Sequence, residues 1–73
     1  MEKYHDIMTE LREDRKKSQS EVALIIGTSQ QYYGQYELGK RQLTFDRAIL
    51  LAKYYNVSLD YLAGLIDKER KLT

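Results

Sequence analysis

Apolar residues recur at Tyr4, Ile7, Met8 and Leu11, three and four apart, the one-sided stripe of an amphipathic helix running from Tyr4 to about Lys17. A polar run breaks the stripe. Ser18, followed three residues later by Glu21, then has the form of a capping box and opens a second helix of about two turns through Val22, Ala23 and Ile26. Gly27 can end it. Thr28 or Ser29 offers the next N-cap and Gly39 the next stop, which brackets a third helix from about Gln30 to Leu38. After a loop from Lys40 to Leu43, Thr44 caps a fourth helix that carries Asp46 near its positive end and runs to about Tyr55, where Asn56 suits a turn. Ser58, with Asp60 behind it, starts a last short helix through Tyr61 and Leu62 to about Leu65. No run alternates well enough to predict a strand, so the fold class is all-α with five short helices.

The third segment, "GTSQQYYGQYELGKR" (residues 27–41), has the least ordinary pattern. With Gln30 set at 0° on a helical wheel, Tyr32, Tyr36 and Tyr33 fall at about 200°, 240° and 300°, while Gln31 and Gln35 fall at about 100° and 140°. The rings share one arc and the amides point the other way. A strand would set Tyr33 opposite Tyr32 and Tyr36 and place Gly34 in its interior, so the helical period fits better. Glutamine can pair in bidentate fashion with the N6 and N7 edge of adenine, and the DNA major groove admits a helix. Two short helices joined across Gly27 and Thr28 also match the helix-turn-helix arrangement, in which the second helix protrudes.

Composition narrows the alternatives. Seventy-three residues make one domain, assigned to residues 1–66, with 67–73 as a charged tail. There is no cysteine, and the lone His5 cannot build a metal site, so neither a metal nor a cofactor is expected. No apolar run approaches the roughly 18 residues of a membrane span, and the charged N-terminus lacks a signal-peptide core, which points to the cytoplasm. There is no cysteine nucleophile, no second histidine to make a metal pair and no glycine-rich phosphate loop, so the chain is not read as an enzyme. Net charge is only +1, but residues 28–45 carry Lys40 and Arg41 against Glu37 alone. A local basic spot is therefore expected rather than a broad basic face.

The stretch "LREDRKKSQSEVALIIGTSQQYYGQYELGKR", followed by "LLAKYYNVSLDYLAGL", resembles the Cro/CI-type helix-turn-helix family, the phage-repressor and XRE-like regulators, over roughly residues 8–65. Many spaced positions carry the likeness: Leu11 and Arg12; Ser18, Gln19, Glu21 and Ala23; Gly27, Ser29, Tyr36, Glu37, Gly39 and Arg41; and Leu51, Ala52, Val57, Ser58, Asp60, Tyr61 and Leu62. The resemblance implies a phage-repressor-like domain with the helix-turn-helix at helices 2 and 3. It implies base contacts from Gln30, Gln31 and Gln35, and backbone contacts from Gln19, Ser29, Tyr32, Lys40 and Arg41. Arg12 and Glu37 fall where the family ties helix 1 to the recognition helix by an ion pair, and Ala23 where helices 2 and 3 approach. Leu59, Tyr61 and Leu65 fall on the surface through which many members dimerise. Five positions depart from the pattern. Lys16 and Lys17 replace the usual glycine and apolar residue, Gly34 a larger DNA-facing side chain, Leu38 a polar residue and Leu43 a proline.

These features imply a sequence-specific DNA-binding regulator, a dimeric repressor on a pseudo-palindromic operator. A chain this short leaves no room for a ligand-sensing domain, so control by concentration or by another protein is expected. The rival is a protein-interaction adaptor on the same fold, such as an antitoxin or a phage-encoded inhibitor, since fold alone does not settle function. Double-stranded DNA and a second copy are the expected partners, with a protein partner under the rival, and no membrane.

Overall fold

The computed structural model describes residues 3–66; the charged tail assigned to residues 67–73 lies outside the described residues. Five helices follow in order: α1 (Tyr4–Asp14), α2 (Gln19–Ile25), α3 (Gln30–Glu37), α4 (Phe45–Tyr55) and α5 (Leu59–Leu62). There is no strand among the described residues, and none of their helices is long and apolar enough to cross a membrane.

Four helices begin with the same device. The hydroxyls of Ser18, Ser29, Thr44 and Ser58 accept the backbone N–H three residues on, at 3.1, 3.1, 3.3 and 3.1 Å. Each bond satisfies one of the donors a helix N-terminus leaves open, an interaction whose loss costs about 1 kcal/mol. At α2 the box is complete, because Glu21 Oε1 accepts the Ser18 N–H at 3.1 Å. Ser29, rather than Thr28, is the cap of α3.

Two helices stop earlier than the sequence predicts. α1 ends at Asp14, not Lys17, because Lys16 turns into the left-handed region at φ 54° and the Lys17 N–H returns to the Arg12 carbonyl at 3.1 Å. Lys16 thus takes the conformation for which the family's glycine is suited. α5 ends at Leu62, not Leu65, where Gly64 at φ 81° reverses the chain. Gly39 is needed twice over: its φ is 76°, and a Cβ there would sit 3.1 Å from the His5 ring.

One core gathers the apolar stripes. Ile7, Met8 and Leu11 of α1 meet Val22, Ala23 and Ile26 around α2, Tyr33 and Tyr36 of α3, Leu51 and Tyr55 of α4, then Val57 and Leu62. α3 packs chiefly on α2, with further contact to α1, and Ala23, 1% exposed, provides the small surface for that approach. The outcome is a recognition-type helix with one side fixed and the other free.

Candidate nucleic-acid interface

The fixed side of α3 is Tyr33, Tyr36 and Glu37, all buried. A carboxylate on an apolar face is costly unless fully partnered. Glu37 receives three donors: Arg12 Nε to Oε2 at 2.7 Å, and Arg12 Nη2 and Gln19 Nε2 to Oε1 at 3.0 and 3.1 Å. Arg12 also donates Nη1 to the Lys17 carbonyl at 3.0 Å, so α1, the first turn, α2 and α3 meet at one point. Burial by itself would raise the Glu37 pKa. The hydrogen bonds from Arg12 and Gln19, with a looser contact to the Tyr33 hydroxyl that falls short of regular hydrogen-bond geometry, outweigh it and hold the carboxyl below its ordinary value. Burial pushes the Tyr33 phenol well up, so it stays a neutral ring in the core.

Burying Glu37 turns the helix about its axis. On the wheel the buried arc becomes about 240° to 340°, which leaves Tyr32, near 200°, outside it. Tyr32 is 37% exposed, so the three rings do not share the core equally. Gln30 and Gln31 are exposed and Gln35 half-buried on the outward side. Gly34, between them, is overlain by the Gln19 carboxamide, whose oxygen would lie 3.5 Å from a Cβ built there. The gap on the outward face is thus occupied by a side chain from α2.

The remaining candidates distribute around this face. The Ser29 hydroxyl accepts from Tyr32 N, which leaves its own hydrogen for an outside acceptor. Ser20 Oγ meets Gln30 Oε1 at 2.7 Å. Lys40 and Arg41 are exposed, and the Arg41 guanidinium lies over the Tyr32 ring at 4.4 Å while its Nε donates to Gln35 Oε1. The only acid of segment 28–45 is Glu37, already neutralised by Arg12, so the two cations on the loop are unopposed locally. Leu59 is half-buried and lines an apolar groove of about 310 Å³ with Tyr4, Leu43, Phe45 and Leu62. Tyr61 packs on the core and is not among the residues lining that groove, and Leu65, 63% exposed, lies beyond the end of α5.

Arg47, on α4, was not among the residues the sequence singled out. It donates Nε to the Ile26 carbonyl at 3.2 Å, Nη2 to the Gly27 carbonyl at 3.4 Å and Nη1 to the Tyr36 hydroxyl at 2.8 Å. It therefore holds the turn between α2 and α3 from behind. Its one sequence signal is a cation at the helix N-terminus, where the dipole disfavours positive charge and some other partner has to be sought.

Known proteins share this arrangement. Among solved structures, a transcriptional regulator from Listeria innocua superimposes with a TM-score of 0.83 at 18% identity, over 90% of this chain and 62% of the other. The P22 c2 repressor protein, in complex with synthetic operator 9T in the presence of Tl+, does so with a TM-score of 0.77 at 21% identity, over 85% and 94%. At those identities the likeness is one of fold, five helices in a phage-repressor-like arrangement. An uncharacterized HTH-type transcriptional regulator of Bacillus subtilis (strain 168), YobD, is 34% identical over 64 residues, covering 88% of this chain and 57% of its own. The chain thus spans a little over half the length of that relative. Residues 8–62, from Met8 in the core of α1 to Leu62 at the end of α5, match the helix-turn-helix family model, and the chain belongs to this helix-turn-helix family.

Proposed function

We propose that the chain is a sequence-specific repressor that binds a pseudo-palindromic operator as a homodimer in the cytoplasm, with α3 in the major groove. The observation that carries this reading is the division of α3. Tyr33, Tyr36 and the Glu37–Arg12–Gln19 cluster anchor one side, and Gln30, Gln31 and Gln35 are left on the other. In this reading the glutamines contact base edges. Ser29, Tyr32, Lys40 and Arg41 contact the backbone, as does Gln19 through the amide hydrogen that Glu37 does not use. Leu59, Tyr61 and Leu65 contribute to the surface between the two copies. Two-fold symmetry then sets half-sites about 34 Å apart. Selection from random duplexes is the test: an enriched inverted repeat is the expected result, and recovering none at any salt concentration would sink the proposal.

A second reading, the protein-interaction adaptor, draws on the apolar groove and on the exposure of Leu24, Leu38 and Phe45, at 80%, 69% and 71%. Replacing Gln30 and Gln31 by Ala separates the two. Lost sequence preference with intact folding supports the repressor, whereas an unchanged target preference supports the adaptor.

A further inference from the structure

We propose that Arg41 determines which base Gln35 reads, by turning Gln35 into a donor-only side chain that selects an acceptor pair, the O6 and N7 edge of guanine, and rejects adenine. This rests on the DNA-binding reading above and adds a specificity determinant that lies outside the recognition helix.

Arginine carries five N–H donors and no acceptor, so the group a carboxamide turns toward it has to be the oxygen. Arg41 Nε donates to Gln35 Oε1. The guanidinium is fixed there by two further contacts, stacking over the Tyr32 ring at 4.4 Å and donating Nη1 to the Tyr32 hydroxyl at 3.3 Å. The loop is tied to the same residue through its backbone, since the N–H groups of Lys40 and Arg41 reach the Gln35 carbonyl at 2.9 and 3.4 Å. What Gln35 has left to offer is its NH2 group with two donors.

Adenine shows the major groove an acceptor at N7 and a donor at N6, so a bidentate pair with it requires both ends of the carboxamide. With the oxygen held by Arg41, an adenine N6 hydrogen would have to use the second lone pair and lie against a positive guanidinium. Guanine shows two acceptors, N7 and O6, which suit two N–H donors; thymine shows one acceptor and cytosine only a donor. The preference order is therefore guanine with two acceptors, then thymine and adenine with one each, then cytosine with none. Gln30 differs in kind, because its partner is the Ser20 hydroxyl, which both donates and accepts and so leaves the carboxamide free to turn over.

The experiment is the random-duplex selection carried out with the wild type, Gln35→Ala and Arg41→Met. Gln35→Ala identifies the base position that Gln35 reads. The wild type should hold guanine there. Arg41→Met, which keeps an unbranched stem but removes every donor, should shift that one position toward adenine by about tenfold or more relative to guanine. Adenine preferred by the wild type would overturn the proposal, as would an Arg41→Met variant that binds all sequences more weakly with no change at that position, the signature of a phosphate contact alone. If no sequence is enriched, the DNA-binding reading falls and takes this inference with it. An enriched repeat with the wrong base at that position sinks only the inference.

Discussion

Removing the Glu37 carboxylate tests the anchoring of α3 most directly. In Glu37→Ala, three donors that now converge on one buried group lose it together: Arg12 Nε, Arg12 Nη2 and Gln19 Nε2. The side chains of Arg12 and Glu37 are 13% and 5% exposed, so water does not readily replace the missing oxygens. Breaking a buried pair from one side costs about 3–5 kcal/mol, chiefly because the other charge is stranded. Arg12 keeps the Lys17 carbonyl at 3.0 Å and approaches Glu13 at 4.0 Å, and Gln19 is half-exposed, which places the loss at the lower end, about 3 kcal/mol. A domain of this size has only about 4–11 kcal/mol in total, so the variant should melt about 12–24 °C lower. Urea unfolding followed by circular dichroism measures the difference at constant slope. A loss under about 1 kcal/mol would place the pair with exposed salt bridges and refute the reasoning. The companion variant Arg12→Met with Glu37→Leu removes both charges and fills the space with apolar atoms. It should return to within about 1 kcal/mol of the wild type.

Acid should act through the same group. The folded pKa of Glu37 lies below the 4.5 of the free side chain, so its contribution is fully present above about pH 4.5 and is lost as pH falls toward the folded value. The urea midpoint of the wild type should drop more steeply below pH 4.5 than that of the Arg12→Met, Glu37→Leu variant; parallel curves would exclude Glu37 as the cause. Gly34→Ala should stabilise by about 1 kcal/mol through helix propensity, because the new Cβ meets only Gln19 Oε1 at an ordinary 3.5 Å. A net loss in thermal melting would mean that Gln19 is displaced from Glu37. Lys16→Gly should stabilise by about 0.5–1 kcal/mol by relieving the left-handed backbone at φ 54°, and a loss there would assign the Lys16 side chain a role in the turn.

Helix starts were legible because capping chemistry is local: Ser18, Ser29, Thr44 and Ser58 act within three residues of themselves. Helix ends were less so. Nothing in the apolar stripe of α1 reveals that Lys16 leaves the helix, since a lysine carries no preference for the left-handed region, whereas the stop at Gly64 is written in a residue that permits it. The recognition helix was found from its period, but the wheel alone grouped Tyr32 with the buried rings, because it sorts residues by polarity; the Arg12–Glu37 pair that makes Glu37 a core residue came only from the family resemblance. Gln19 and Gln35 show the same limit at the candidate interface. Both stood out as polar residues facing outward, yet one amide turns to Glu37 and the other to Arg41, and those partners come from tertiary placement.

The position of Arg47 has a consequence for how the chain meets its target. A turn between two short helices is ordinarily the loosest joint in such a unit, with carbonyls bonded to water and free to flex. At Ile26 and Gly27 those carbonyls are held by a side chain rooted in α4. The joint is splinted before any partner arrives, and the ordering entropy that induced fit would exact on association is already taken up in folding. The presentation angle of α3 is thus set by a helix that bears none of the glutamines, and under the proposed major-groove docking any bending required for a close fit falls to the DNA.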